Sequence, residues 1–108
     1  MMDESTYLAL ADKTLESIAR AIEEQDSAGR LDVELNQGIL TLELDDGRQF
    51  VINRHTASRQ VWMSSPISGA SHHAYVSDQQ SWVDSEGREL LSLLEADLLK
   101  AAGVKVTL

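Results

Sequence analysis

The chain has no cysteine. That excludes disulfides, thiolate nucleophiles and cysteine-ligated zinc or iron–sulfur sites. It has one proline, Pro66, and no repeat, low-complexity segment or linker, so its 108 residues are expected to form a single domain, 1–108. No apolar run approaches the roughly 20 residues that span a bilayer. The first residues, Met1-Met2-Asp3-Glu4-Ser5, carry neither the basic nor the apolar stretch of a targeting peptide, and a cytoplasmic location is expected. Also missing are the H-x-x-x-H spacing of a helical metal site, a nucleophile elbow and a Gly-rich phosphate loop.

Basic residues are scarce in one half only. Residues 1–46 hold twelve Asp and Glu against three Lys and Arg, whereas residues 47–108 hold six of each. The whole formal charge of −9 therefore belongs to the first half. Such a field repels phosphate backbones, which argues against nucleic acid, and attracts cations and basic surfaces.

Apolar content of 43% is that of a folded domain. Leu8, Ala11, Leu15, Ile18 and Ile22 follow a helical period over about 5–25, with Tyr7 and Ala19 flanking. Asp12, Glu16, Glu23 and Glu24 fall outside that arc, and Glu16 and Arg20 have the favourable i, i+4 order. Asp26-Ser27-Ala28-Gly29 ends the helix. Leu31, Val33 and Leu35 then alternate with Asp32 and Glu34, and Leu40, Leu42 and Leu44 resume the inward row. A turn centred on Asn36-Gln37 would set Val33 opposite Leu40 and Leu31 opposite Leu42. Asp45-Asp46-Gly47 suits a three-residue loop with left-handed Gly47, which keeps Phe50 and Ile52 inward.

Further strands are expected at 48–54, 60–65, 72–76 and 81–84, with 66–71 as a loop. A second helix, about 88–102, would bury Leu91, Leu94 and Leu98 with Leu90 beside them, and Gly103 would stop it. Val104, Val106 and Leu108 share one parity and are expected to cover the groove between the helices. The order implies an α+β two-layer sandwich, an antiparallel sheet of about six strands covered on one face by N- and C-terminal helices.

Strand parity puts Trp62 with Gln60 and Ser64, opposite the core pair Val61 and Met63. An exposed Trp beside amides is interface chemistry, a buried one is core, and parity alone leaves both open. Trp82 is expected to be structural, on an edge strand near the second helix. His55, His72 and His73 are expected at the surface or an edge, without a metal role, since adjacent strand residues point to opposite faces.

Several segments together resemble the frataxin family, in particular its bacterial CyaY-type members. They are the acidic first helix, the acidic-faced hairpin Leu31–Leu44, Val51-Ile52-Asn53-Arg54, Gln60-Val61-Trp62-Met63-Ser64-Ser65-Pro66, Ser68-Gly69, Trp82 before Ser85-Glu86-Gly87, and Leu90-Leu91-x-x-Leu94-Glu95. The resemblance implies the same sandwich and a non-catalytic accessory of iron–sulfur cluster assembly. It implies iron (Fe2+ or Fe3+) bound weakly by an acidic ridge of Glu23, Glu24, Asp26, Asp32 and Glu34, with Asp12 and Glu16 further up the helix. The implied partners are a cysteine desulfurase and an iron–sulfur scaffold protein, the latter through Asn53, Gln60 and Trp62. The expected iron-free state is a monomer. Arg30 and Ala28 stand where relatives tend to carry Asp, and His72-His73-Ala74 replaces an aromatic-Asp pattern.

Three alternatives stand beside that reading. A solvated acidic face would have no specific ligand. A ferroxidase-type or iron-storage protein would need close ligation. An acidic protein-binding module would have no metal role.

Overall fold

The computed structural model describes residues 2–108. Helix α1 spans Glu4–Gln25. Asp3 caps it, accepting from the Thr6 N–H at 2.7 Å, and that bond holds the Asp3 carboxyl below its usual pKa. Six strands follow: β1 (Leu31–Asn36), β2 (Ile39–Leu44), β3 (Gln49–His55), β4 (Gln60–Ser65), β5 (Gly69–Val76) and β6 (Ser81–Val83). Helix α2 spans Leu90–Ala102. Its cap is Glu89, whose carboxylate accepts from the Leu91 and Ser92 N–H groups. The strands form one antiparallel meander in the order β1-β2-β3-β4-β5-β6.

Both helices lie on one sheet face, and the core is the layer between. Tyr7, Ala11, Leu15, Ile18 and Ile22 of α1 meet Leu40, Leu42, Phe50, Ile52, Val61 and Met63 of the sheet. Tyr7 takes the buried place that periodicity assigns to Leu8, which is only half-buried. Its hydroxyl donates to the Gln60 carbonyl at 2.7 Å, which satisfies the one polar atom the ring carries inward. Trp82 is buried as expected but lies against α1 as well, donating its indole N–H to Thr14 Oγ1 at 3.0 Å. Val104 and Val106 join the core. The backbone N–H and C=O of Thr107 both bond the Gln25 side chain, and the Leu108 N–H donates to Glu95, so the tail is tied to both helices.

The β2–β3 loop is as expected. Leu42 pairs with Phe50, Leu40 with Ile52, and Gly47 has φ +90°. The β1–β2 register differs. Val33 pairs with Leu42 and Leu35 with Leu40, because the loop is Gln37-Gly38. A tight hairpin turn needs positive φ at both centres, and Gly38 (φ +78°) supplies the second beside Gln37 (φ +51°). Moving the turn centre by one residue moves the pairing by two, so the inward face is unchanged. It also carries Leu35 to the hairpin end, where it is exposed.

Strand β5 starts at Gly69, earlier than expected. The inward face of α2 is Leu90, Leu94, Asp97 and Leu98, and Leu91 is only half-buried. Asp97, 2% exposed, is a buried carboxylate that hydrophobic periodicity passes over. Its Oδ2 accepts from the hydroxyls of Ser65 (2.7 Å) and Ser68 (2.6 Å). Ser65 Oγ in turn accepts from the N–H groups of Ile67 and Ser68. The network satisfies the carboxylate and fastens the β4–β5 turn to α2. The Ser64-Ser65-Pro66-x-Ser68 run was its only trace in sequence.

Candidate functional site: an acidic edge and an open sheet face

Glu16, Glu23 and Glu24 are exposed along α1. Glu16 and Glu23, with Arg20 between them, line a shallow cleft against Val33 and Leu35 of the edge strand β1. Arg20 makes no ion pair with Glu16 among the described residues, despite their spacing. Asp32 and Glu34 project from β1 on the opposite sheet face. There Asp32 sits directly across from Glu43, a carboxylate the ridge pattern did not include, and Gln49 Nε2 donates to Glu43 Oε1 at 3.1 Å. The edge strand thus divides the ridge in two. Among the described residues, no three His, Asp or Glu side chains converge as a metal cage.

Two ridge members are engaged within the fold. Asp26 ends α1, and its carboxylate accepts from the N–H groups of Arg30 (3.1 Å) and Leu31 (2.8 Å), aiming the chain into β1. Asp12 is ion-paired with Arg54, which reaches from β3 past Gly38; any Cβ at that glycine would collide with the Arg54 side chain. Of the other arginines, Arg20 alone stays beside the ridge. Arg30 and Arg48 donate to the last carbonyls of α2, Arg59 pairs with Glu4, and Arg88 with Asp84 and Glu86. The field of the remaining ridge carboxylates is left with little local cancellation.

Asn53, Gln60 and Trp62 come together on the face turned away from the helices. Trp62 pairs with Asn53 on one side and His72 on the other, and Ile39 continues the row beyond Asn53. Trp62 is half-buried, and its indole N–H donates to Gln60 Oε1 at 2.8 Å. His55 stacks on one side of the indole (centroids 3.7 Å apart, planes within 5°) and His72 on the other (3.9 Å, 14°). Nothing in the sequence spacing signals this stack, because it joins three strands.

His73 corrects the expectation of a surface histidine. It lies on the inner face of β5 at 0% exposure, with Nε2 2.8 Å from Ser71 Oγ and Nδ1 without a hydrogen-bond partner among the described residues. Alternation puts His72 out and His73 in, where Trp82 of β6 and Asp84 and Arg88 of the following loop are its neighbours. Burial pushes its pKa below the ordinary histidine value, with Asp84 opposing. Folded and unfolded chains are therefore both neutral here above about pH 6.5, and stability is complete. Below that the unfolded chain takes up a proton that the folded one resists, so stability is lost as pH falls towards the lower folded pKa. His73→Phe is expected to flatten the fall in melting temperature between about pH 7.5 and 5.5. An unchanged fall would assign it to other groups.

An open, polar-aromatic sheet face beside a divided acidic edge makes this an α+β sandwich whose distinctive surfaces are exposed rather than enclosed. The chain belongs to the frataxin family: the frataxin-like domain matches residues 1–104. It is 34% identical to the iron–sulfur cluster assembly protein CyaY of Thioalkalivibrio sulfidiphilus, over 99% of this chain and 100% of that one. It is 36% identical to a mitochondrial frataxin-like protein of Leishmania donovani, over 86% of this chain and 53% of that protein. Among solved structures, frataxin from Psychromonas ingrahamii superposes with a TM-score of 0.86 at 30% identity, covering 97% of this chain and 96% of that one. A trimeric frataxin from the yeast Saccharomyces cerevisiae, complexed with ferrous iron, superposes with a TM-score of 0.76 at 29% identity, covering 95% of this chain and 88% of that one. Among the described residues no helix is long and apolar enough to cross a membrane.

Proposed function

We propose that this protein is a non-catalytic accessory of iron–sulfur cluster assembly, acting in the cytoplasm as one frataxin-like domain over 1–108. Iron is its cargo, held weakly at Glu16, Glu23, Glu24, Asp32 and Glu34, with Asp26 contributing lone pairs left over from its junction bonds. A cysteine desulfurase docks on the same acidic side and is modulated by it. An iron–sulfur scaffold protein contacts Asn53, Gln60 and Trp62. The iron-free protein is a monomer.

The observation that carries this reading is the weakly compensated carboxylate edge at α1 and β1 on a frataxin-family chain. The assembly role of the Thioalkalivibrio relative and the ferrous complex of yeast frataxin support it. Carboxylates are hard donors suited to hard cations. Donors split between two sides of an edge strand supply few bonds at once, so water completes the coordination shell and exchange is fast. Iron oxidation or storage would call for convergent donors, and the split edge disfavours that reading.

The test is Glu23, Glu24 and Glu34 changed together to Lys, sparing Asp26 because its change would also loosen the α1–β1 junction. Iron-induced NMR shifts should vanish and desulfurase binding should weaken, while the melting temperature moves by only a few degrees. Wild-type binding should also fall with added salt. Undiminished iron shifts and desulfurase binding in the folded variant would remove the edge from the mechanism.

A further inference from the structure

The outer sheet face is charged unevenly. Its outward positions carry Asp32, Glu34 and Glu43 at the β1–β2 end and no Lys or Arg on any strand. The only bases at those positions are His55 and His72, and both lie against Trp62. Histidine is the side chain whose ordinary titration falls between pH 5 and 8. The positive charge this face can present is therefore set by protons.

The stack is built to accept them. A stacked imidazolium gains from the negative face of the indole, and Trp is the strongest such partner. Hydrogen bonding to Gln60 fixes the indole plane. His55 Nδ1 lies 2.7 Å from Ser58 Oγ, which is also 3.3 Å from the His55 carbonyl, so the hydroxyl can accept from an Nδ1–H while donating to that carbonyl. The His72 ring has no hydrogen-bond partner among the described residues, which leaves its nitrogens for an incoming group.

The charged neighbours are few. Asp84, Glu86 and Arg88, in the loop before α2, line a shallow hollow with His72 and Gln60, and Arg88 pairs with both acids. On the β3 side Arg54 turns inward to Asp12 and Arg59 to Glu4. Both helices lie on the other sheet face, so no helix covers the stack.

We infer that the outer sheet face is a proton-responsive docking surface for a protein that presents carboxylates to the His55–Trp62–His72 stack and Lys or Arg to the Asp32–Glu34–Glu43 edge. Protonation makes the face dipolar: positive at β3–β5 and negative at β1–β2. Both ends then favour the same partner, and the histidine end does so only when it carries a proton. This rests on the reading that a scaffold protein binds this face.

The test measures scaffold affinity at about pH 7.5 and pH 6 for the full chain and for the double variant His55→Gln with His72→Gln, whose fold is checked by thermal melting. Affinity of the wild type should rise about three- to tenfold on acidification, as two exposed charge pairs would give, and the variant should lose that gain. In parallel, a hexaglutamate peptide should shift the Trp62 indole resonance at pH 6 but not at 7.5, and only with both histidines present. Equal gains in wild type and variant, together with no histidine-dependent peptide shift, would overturn the inference. Scaffold binding that ignores pH would overturn it too, while leaving the scaffold reading intact. Absent scaffold binding with the peptide effect retained would overturn the scaffold reading and uphold the proton response.

Discussion

Trp82→Ala is expected to destabilise the domain by about 3–5 kcal/mol, the range for a buried aromatic truncation. Trp82 is buried between α1 and the sheet edge, meets Tyr7 and Tyr75 edge-on at 6.0 and 5.1 Å, and bonds Thr14. Its loss would remove packing and leave the Thr14 hydroxyl without its donor. A domain of this size has about 5–15 kcal/mol in all, so the variant should be marginal at 37 °C. The same change at Trp62 should cost only about 1–2 kcal/mol, the worth of two exposed aromatic stacks. It should instead weaken scaffold binding by about 2 kcal/mol or more, roughly 30-fold. Urea unfolding and a binding titration on both variants separate the two roles. Equal destabilisation would mean that Trp62 is packed as core and is no interface anchor.

Deleting residues 104–108 is expected to lower the melting temperature by ten degrees or more. Val104 and Val106 are buried, and each fully buried Val is worth about 1.5–3 kcal/mol. The Gln25–Thr107 pair and the Glu95–Leu108 bond would go as well. About 1 kcal/mol shifts a domain of this size by roughly 4–8 °C. Leu108 also lines a groove of about 720 Å3 with Leu10, Ile18, Trp82 and Leu91, and its loss would leave them more exposed. The iron response should persist, because the tail has no carboxylate side chain and leaves Glu16, Asp32 and Glu34 in place. Calorimetry and an iron titration on one truncated sample check both statements. An unaltered melting temperature would mean that the valines contribute no net stability.

Much of this was legible in the residues. Period 3.6 followed by period 2 marks α1 and the strands. Parity puts Val61 and Met63 inside and Trp62 outside, and Gly47 sets a loop that keeps Phe50 facing Leu42. The charge asymmetry locates the acidic side without any coordinates. These are local properties: side-chain direction alternates along a strand whatever it pairs with, and a loop's register follows from its own φ angles.

Whatever depends on two distant segments meeting was decided by the tertiary structure. The β1–β2 pairing turned on Gly38 rather than on the hydrophobic rows, since rows two residues apart satisfy the same face. His73 and Asp97 look like surface residues in sequence. They are buried because helix and sheet pack together at their positions; Ser65 and Ser68 reach Asp97 from some thirty residues away, while His73 bonds Ser71 of its own strand. Arg54 holds Asp12 across 42 residues, which takes one carboxylate out of the ridge. The division of that ridge by β1, and the sandwiching of Trp62 between two histidines, follow from strand order and stagger. Sequence alone determined which residues are acidic, which are apolar and how side chains alternate along each strand. Only the packing of the layers decided which charges stay free, because pairing is a matter of distance in space and not along the chain.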